Sequence, residues 1–259
     1  MAALTLRKGY GGGHWHRRGM RILQQSVGMP ENTGRKNMVY ELLKNQVLNL
    51  ELKPGEMLSE NSLAAQMHAG RPLVRDALAQ LTEEGYVVVY PQRGTEVSLL
   101  SQSRIRQAVQ THIILEQAAI REICKKGLSR EQHRQLADIL KLQQESGSRE
   151  SIMDFIVREQ DFYHLIMAFC GKELVWDLFR RMECDLRRVD YLRYTTFNYQ
   201  ESMSSPSSAE NSLVEGKLLL DNLRRGETEA ACLVCSNHFN TILWSADTLR
   251  GFYPQYFTE

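Results

Sequence analysis

Residues 57–98 read MLSENSLAAQMHAGRPLVRDALAQLTEEGYVVVYPQRGTEVS, and their pattern decides the fold. A short extended piece, Met57-Leu58-Ser59, leads into a helix over 61–68 with Leu63, Ala64 and Met67 on one face,. His68-Ala69-Gly70 makes a tight connection. A second helix follows from about Arg71 to Glu84, turning Val74, Ala77, Leu78 and Leu81 inward,. Gly85 sits where a helix ends in a left-handed residue. Val87–Tyr90 and Thr95–Ser98 then flank Pro91-Gln92-Arg93-Gly94, two β runs around a turn that contains glycine,.

Working outward, Val39, Leu42, Leu43 and Val47 recur at helical spacing from Met38 to about Leu50, where Lys53-Pro54-Gly55 turns the chain,. Three helices and a hairpin within about sixty residues are the layout of a winged helix-turn-helix, in which the second helix of the turn pair, here the one from Arg71, enters a DNA major groove about 12 Å wide,. Arg71 and Arg75, four apart, share one face of that helix's first turn,. Arginine forks onto guanine O6 and N7. At the hairpin tip, Arg93 and Gly94 stand where a wing meets phosphate, because glycine lets main chain come close,.

From Ser101 onward no strand pattern is evident. Six helical stretches are read, at about 102–126, 129–145, 149–170, 172–194, 208–225 and 227–250,. Breakers stand at Gly127, Gly147, Gly171 and Gly226. Residues 196–207 read as a polar loop, open to a lid role or to none. The expected fold is therefore mainly α, with a winged helix-turn-helix over 38–100 and an all-α antiparallel bundle over 101–259.

Residues 1–37 carry seven Lys/Arg and one Glu, net +6, with Gly and polar residues and no sustained period. They read as a flexible basic arm, either touching phosphates or playing no part. Residues 38–100 net −3 within a chain of +1, so no generic basic footprint marks DNA binding,. The 42% hydrophobic and 24% charged content is that of a globular chain,. No apolar run approaches the roughly 20 residues that cross a bilayer. Five cysteines, odd in number and set in helical stretches, fit a reducing cytoplasm better than a disulfide framework,. The CxxC pair Cys232/Cys235 lies within a helical run and has no partner pair, so it reads as packing,.

Leu52–Glu60, Leu63-Ala64, Arg71–Leu78, Leu81, Glu84-Gly85 and Pro91–Val97, in order and spacing, resemble the N-terminal domain of GntR-family regulators. The resemblance implies that Arg71 and Arg75 read bases. It places Asn61 where the family usually has arginine and Gly70-Arg71-Pro72-Leu73 where it usually has Ser-Arg-Thr-Pro. The second domain is similar to the FadR-like branch with its FCD effector bundle, through Leu115-Glu116, Tyr163-His164, Arg188, Gly226-Glu227 and His238.

In many such relatives the bundle holds a divalent metal through a carboxylate or Asn four residues before a first His, that His, and two more. Mapped here, His164 and His238 are present, Gln160 stands four before His164, and the remaining His position falls on Gly216. The resemblance thus implies at most a weak Zn²⁺ site at His164 and His238. It favours a polar pocket of Gln160, His164, Arg188 and His238 for a carboxylate or sugar acid, with His112 as a further candidate. The implied protein is a homodimeric, ligand-responsive regulator, a repressor on family grounds, bound to a pseudo-palindromic double-stranded operator. Two other classes use the same residues: a metal-dependent enzyme on His164 and His238, and a protein-interaction module that has lost DNA binding.

Overall fold

Pro54 and Gly55 separate the first helix, α1 (Glu31–Leu48), from the rest of an N-terminal head. Gly55 takes a φ of +82°, a region that favours glycine,. Its amide donates to the Val97 carbonyl, while the Val97 amide donates back to Glu56, each at 2.9 Å. This seats β1 (Met57–Leu58) beside a later strand. Ser59 then caps α2 (Glu60–Gln66), its hydroxyl accepting from the Ser62 amide at 3.4 Å,. The computed structural model describes residues 31–149, 152–197 and 207–259.

α3 (Arg71–Glu83) follows a glycine N-cap that offers no side chain, with proline in the first turn, where its missing N–H costs nothing,. Val74, Ala77, Leu78 and Leu81 are buried, and Gly85 stops the helix at φ +81°. β2 (Val87–Tyr90) and β3 (Gly94–Val97) form the expected hairpin. The antiparallel sheet runs β1-β3-β2, with Val87 opposite Val97 and Met57 opposite Glu96.

A short strand, β4 (Leu100–Ser101), leads into the bundle: α4 (Gln102–Lys126), α5 (Arg130–Arg149), α6 (Ile152–Phe169), α7 (Glu173–Thr196), α8 (Ser208–Arg225) and α9 (Thr228–Phe252). One apolar core joins Ile105, Ile120, Leu136, Ile166, Val189, Leu219 and Leu249. A second core belongs to the head and does not end at its edge. Val39, Leu43, Leu81 and Tyr86 pack in one cluster with Phe155 and Ile156 of α6, Cys184 and Tyr194 of α7, and Ala209 of α8.

Three expectations need correction. The first helix begins at Glu31 rather than Met38, so residues 31–37 are helical; residues 1–30 of the expected arm lie outside the described residues. α5 runs through Gly147, because glycine weakens a helix by about 1 kcal/mol without blocking helical angles,. β5 (Phe257–Thr258) pairs in parallel with β4, Leu100 opposite Phe257, although no strand was expected there. Two residues are too few to show a period. Most of the expected 196–207 loop, at 198–206, lies outside the described residues. Among the described residues, no helix is long and apolar enough to cross a membrane.

Candidate functional sites: an arginine face and a bundle cavity

With its apolar stripe buried in the head, α3 turns the opposite face outward. Arg71 and Arg75 are both exposed there. Glu60, at the start of α2, holds Arg75 through two bonds: Nε to Oε1 at 3.2 Å and Nη2 to Oε2 at 2.9 Å. The guanidinium in turn holds the Glu60 carboxyl below its usual range. Asn61 is exposed beside it in the first turn of α2. At the wing tip Arg93 and Gly94 are exposed, Gly94 at φ +113°, with the Arg93 guanidinium 5.7 Å from the centre of the Tyr90 ring. All five head residues expected to meet DNA are thus on the surface.

The bundle encloses a cavity of about 50 Å³. α4 brings His112 and Glu116, four apart, with His112 Nδ1 2.8 Å from Glu116 Oε1 and the imidazole stacked on Phe179 at 3.9 Å. α6 brings Glu159, Gln160 and Tyr163; α7 brings Trp176, Glu183, Leu186 and Asp190; α9 brings His238 and Phe239. The polar lining is tied together. Tyr194 donates its hydroxyl to Glu159 at 2.9 Å, Ser212 also donates to Glu159, and Arg193 spans Asp190 and Tyr194 at 2.9 and 2.6 Å. His238 Nδ1 lies 3.0 Å from Glu215 Oε2.

Burial sets the protonation in this cluster. It pushes Asp190 up to about 6, against the pull of Arg193, and raises Glu116 from its ordinary value despite His112,. For His238 burial works downward, but the bond to Glu215 and the nearby Glu159 charge outweigh it, and its pKa is raised. A raised histidine contributes stability that is full below about pH 6.5 and fades as pH climbs through the folded value,. Glu215→Gln is expected to lower the His238 pKa and flatten that part of the stability profile. A ring-proton titration by NMR that comes out unchanged would show that Glu215 does not set it.

Two segments of the sequence match known families. Residues 35–97 match the profile described as "Bacterial regulatory proteins, gntR family", and residues 107–241 match the FCD domain. The chain belongs to the GntR family. This GntR regulator is 24% identical over 221 residues to the HTH-type transcriptional repressor RspR of Escherichia coli, covering 85% of this chain and 92% of that protein. It is 27% identical over 215 residues to the Nta operon transcriptional regulator of Aminobacter aminovorans, with 82% and 95% covered. A GntR transcriptional regulator from Rhodococcus sp. RHA1 shares the fold, with a TM-score of 0.65 at 20% identity, over 83% of this chain and 97% of that one.

Within this GntR chain the pocket expected from sequence is only partly assembled. His112, Gln160 and His238 line the cavity; His164 and Arg188 do not. His164 is half-buried and stacks on Trp176, ring centres 4.7 Å apart. The buried i, i+4 pair that α6 brings to the cavity is Glu159 and Tyr163, one residue earlier than expected. Arg188 is completely buried at the junction with the head. Its Nη1 donates to the Ser98 carbonyl at 2.6 Å, and its Nη2 to Ser98 Oγ at 3.0 Å and Asp185 Oδ1 at 2.7 Å. The sequence reading missed Glu159, Tyr163 and Asp190, although the Glu159–Tyr163 spacing was there to be found.

The metal that the family resemblance implies does not fit these side chains. Glu159 already accepts from Tyr194 and Ser212, and burial keeps the Tyr163 hydroxyl protonated. Gly216 supplies no donor, and a Cβ there would come within 2.8 Å of Leu140 Cδ2. His164 and His238 face different surroundings. Among the described residues, no group of three His, Cys, Asp or Glu is arranged to hold an ion.

Proposed function

We propose that this GntR regulator is a cytoplasmic, ligand-responsive repressor, acting as a homodimer on a pseudo-palindromic operator. The observation that carries the ligand response is the double duty of α7. Glu183, Leu186 and Asp190 line the cavity, while Cys184 and Arg188 on the same two turns grip the head, with Asp185 holding the Arg188 guanidinium. Cys184 Sγ lies 3.4 Å from the Gly85 carbonyl, at the end of α3, and Arg188 reaches Ser98, just past β3. A ligand that shifts α7 by a fraction of an ångström must move one of these grips, because close-packed interfaces switch rather than stretch. That links cavity occupancy to head placement, and so to operator affinity.

Repression follows the relatives that are named repressors. Dimerisation is supported by the apolar side chains that the bundle leaves outside, Ile114, Leu174 and Trp244, each more than 60% exposed. Two copies related by a two-fold axis would present two α3 helices to half-sites about one helical turn apart. The organic-acid effector expected from sequence loses its anchor, since the Arg188 fork is spent at the head junction.

Selection of bound duplexes from a random pool by the full chain tests the reading. The expected result is enrichment of one sequence with two inverted half-sites, bound by two copies. A pool that stays random after several rounds would remove DNA reading and leave the interaction-module alternative standing.

A further inference from the structure

The cavity lining is rich in acids. Four carboxyl groups line it, from Glu116, Glu159, Glu183 and Asp190, and no Lys or Arg does. The cations nearby are already paired, in part with the lining groups themselves. Arg187 serves Glu183 and Gln160, and Arg193 serves Asp190 and Tyr194. Both arginines carry a buried Nε without a partner, but neither side chain lines the cavity. His112 is taken by Glu116 and His238 by Glu215.

One atom breaks the pairing. Glu116 is 1% exposed and lines the cavity; its Oε1 meets His112, yet its Oε2 has no hydrogen-bond partner. Among the lining residues it is the orphan side-chain atom in the described structure. An orphaned buried carboxylate oxygen is costly, and a bound donor is what would satisfy it. Around it stand aromatic rings of Tyr163, Trp176, Phe179 and Phe239. Aromatic faces with carboxylates are the surroundings that stabilise an organic cation.

We infer that the effector of this bundle carries a protonated amine, whose N–H donates to Glu116 Oε2 and whose charge sits among the carboxylates and rings of the cavity. An organic anion would meet four carboxyl groups and no free cation. The small volume selects a short molecule of a few heavy atoms, bearing one ammonium. This inference rests on reading the bundle as the ligand-sensing part of a regulator.

The test uses the full-length protein and matched probes of similar size: ethanolamine against glycolate, and propylamine against propionate and propanol. Thermal melts and titration calorimetry are read for each. The expected result is a melting temperature that rises by several degrees and saturates with the amines, and stays flat with the acids and the alcohol. Glu116→Gln is expected to weaken amine binding about tenfold or more, the loss of one charge-assisted bond. Its ligand-free melt, compared with the parent, reports whether the variant folds. If it does not fold, Glu183→Gln serves as the second variant, with weaker amine binding expected.

Stabilisation by the acids or the alcohol in place of the amines overturns the inference. So does stoichiometric binding of Zn²⁺ that Glu159→Gln abolishes, or no response to any probe. The duplex selection keeps the two failures apart: enriched operators with no amine response leave the regulator reading intact and remove only the ligand class.

Discussion

Replacing Arg188 by alanine is expected to lower the melting temperature by roughly 6–20 °C. The figure follows from the 3–5 kcal/mol typical of breaking a buried ion pair and the shift of 2–4 °C per kcal/mol for a chain of this size. The guanidinium is wholly buried and satisfies the Ser98 carbonyl, Ser98 Oγ, Asp185 and the Cys184 carbonyl at once. Alanine removes the bond that Arg188 Nη1 gives the buried Ser98 carbonyl and the buried partner of Asp185. Asp185 keeps Arg104, whose side chain is 56% exposed and so holds a weaker claim on it. Lysine at 188 would keep the charge but not the fork, and is expected to recover only part of the loss.

The same change should have a second signature. With the bolt between α7 and the head removed, molecules that remain folded are expected to bind operator while responding less to the effector. A melting curve that overlays the parent would show that Arg188 bears no weight at the junction. A lowered melt with an undiminished ligand response would place the coupling elsewhere.

The second large effect belongs to α3. Arg71→Ala and Arg75→Ala are each expected to weaken specific operator binding by about 5–150-fold, the loss of one bidentate base contact. Neither should shift the melt by much, because both side chains are exposed and no core group depends on them. For Arg75 the released partner is Glu60, at the N-terminus of α2, where a negative charge is well tolerated,. Anisotropy titrations with the selected duplex and with a scrambled one separate base reading from charge. Base reading predicts that the specific affinity collapses toward the scrambled value. Equal losses on both duplexes would demote the arginines to phosphate contacts.

Much of this architecture was legible in the residues. α3 was bounded by Gly70 and Gly85, and its buried face by the spacing of Val74, Ala77, Leu78 and Leu81. The breakers Gly127, Gly171 and Gly226 fixed the ends of α4, α6 and α8, each adopting a positive φ. The cavity was harder. α6 is apolar on several sides, with Phe155, Ile156, Phe162, Tyr163, Ile166 and Met167 all buried, so no polar stripe tells which face is inward. The adjacent Tyr163 and His164 differ by about 100° around such a helix, and histidine drew attention that belonged to tyrosine.

Arg188 escaped for another reason. Its local partner, Asp185, is visible at i−3, but Ser98 lies 90 residues away and its carbonyl carries no side-chain signature. A buried arginine reads as a ligand anchor until the chain is folded around it.

The pairing of β4 with β5 has a consequence in time. Ser101 Oγ meets the Glu259 carbonyl across 158 residues of chain, and the hinge between head and bundle is zipped by that late segment. At ribosomal rates of about 5–20 residues per second, the head emerges on the order of 8–30 s before its hinge can close. A nascent chain therefore passes through a stage in which β4 has been made and its edge is still open. The β4–β5 closure forms only after all six helices of the bundle have been synthesised.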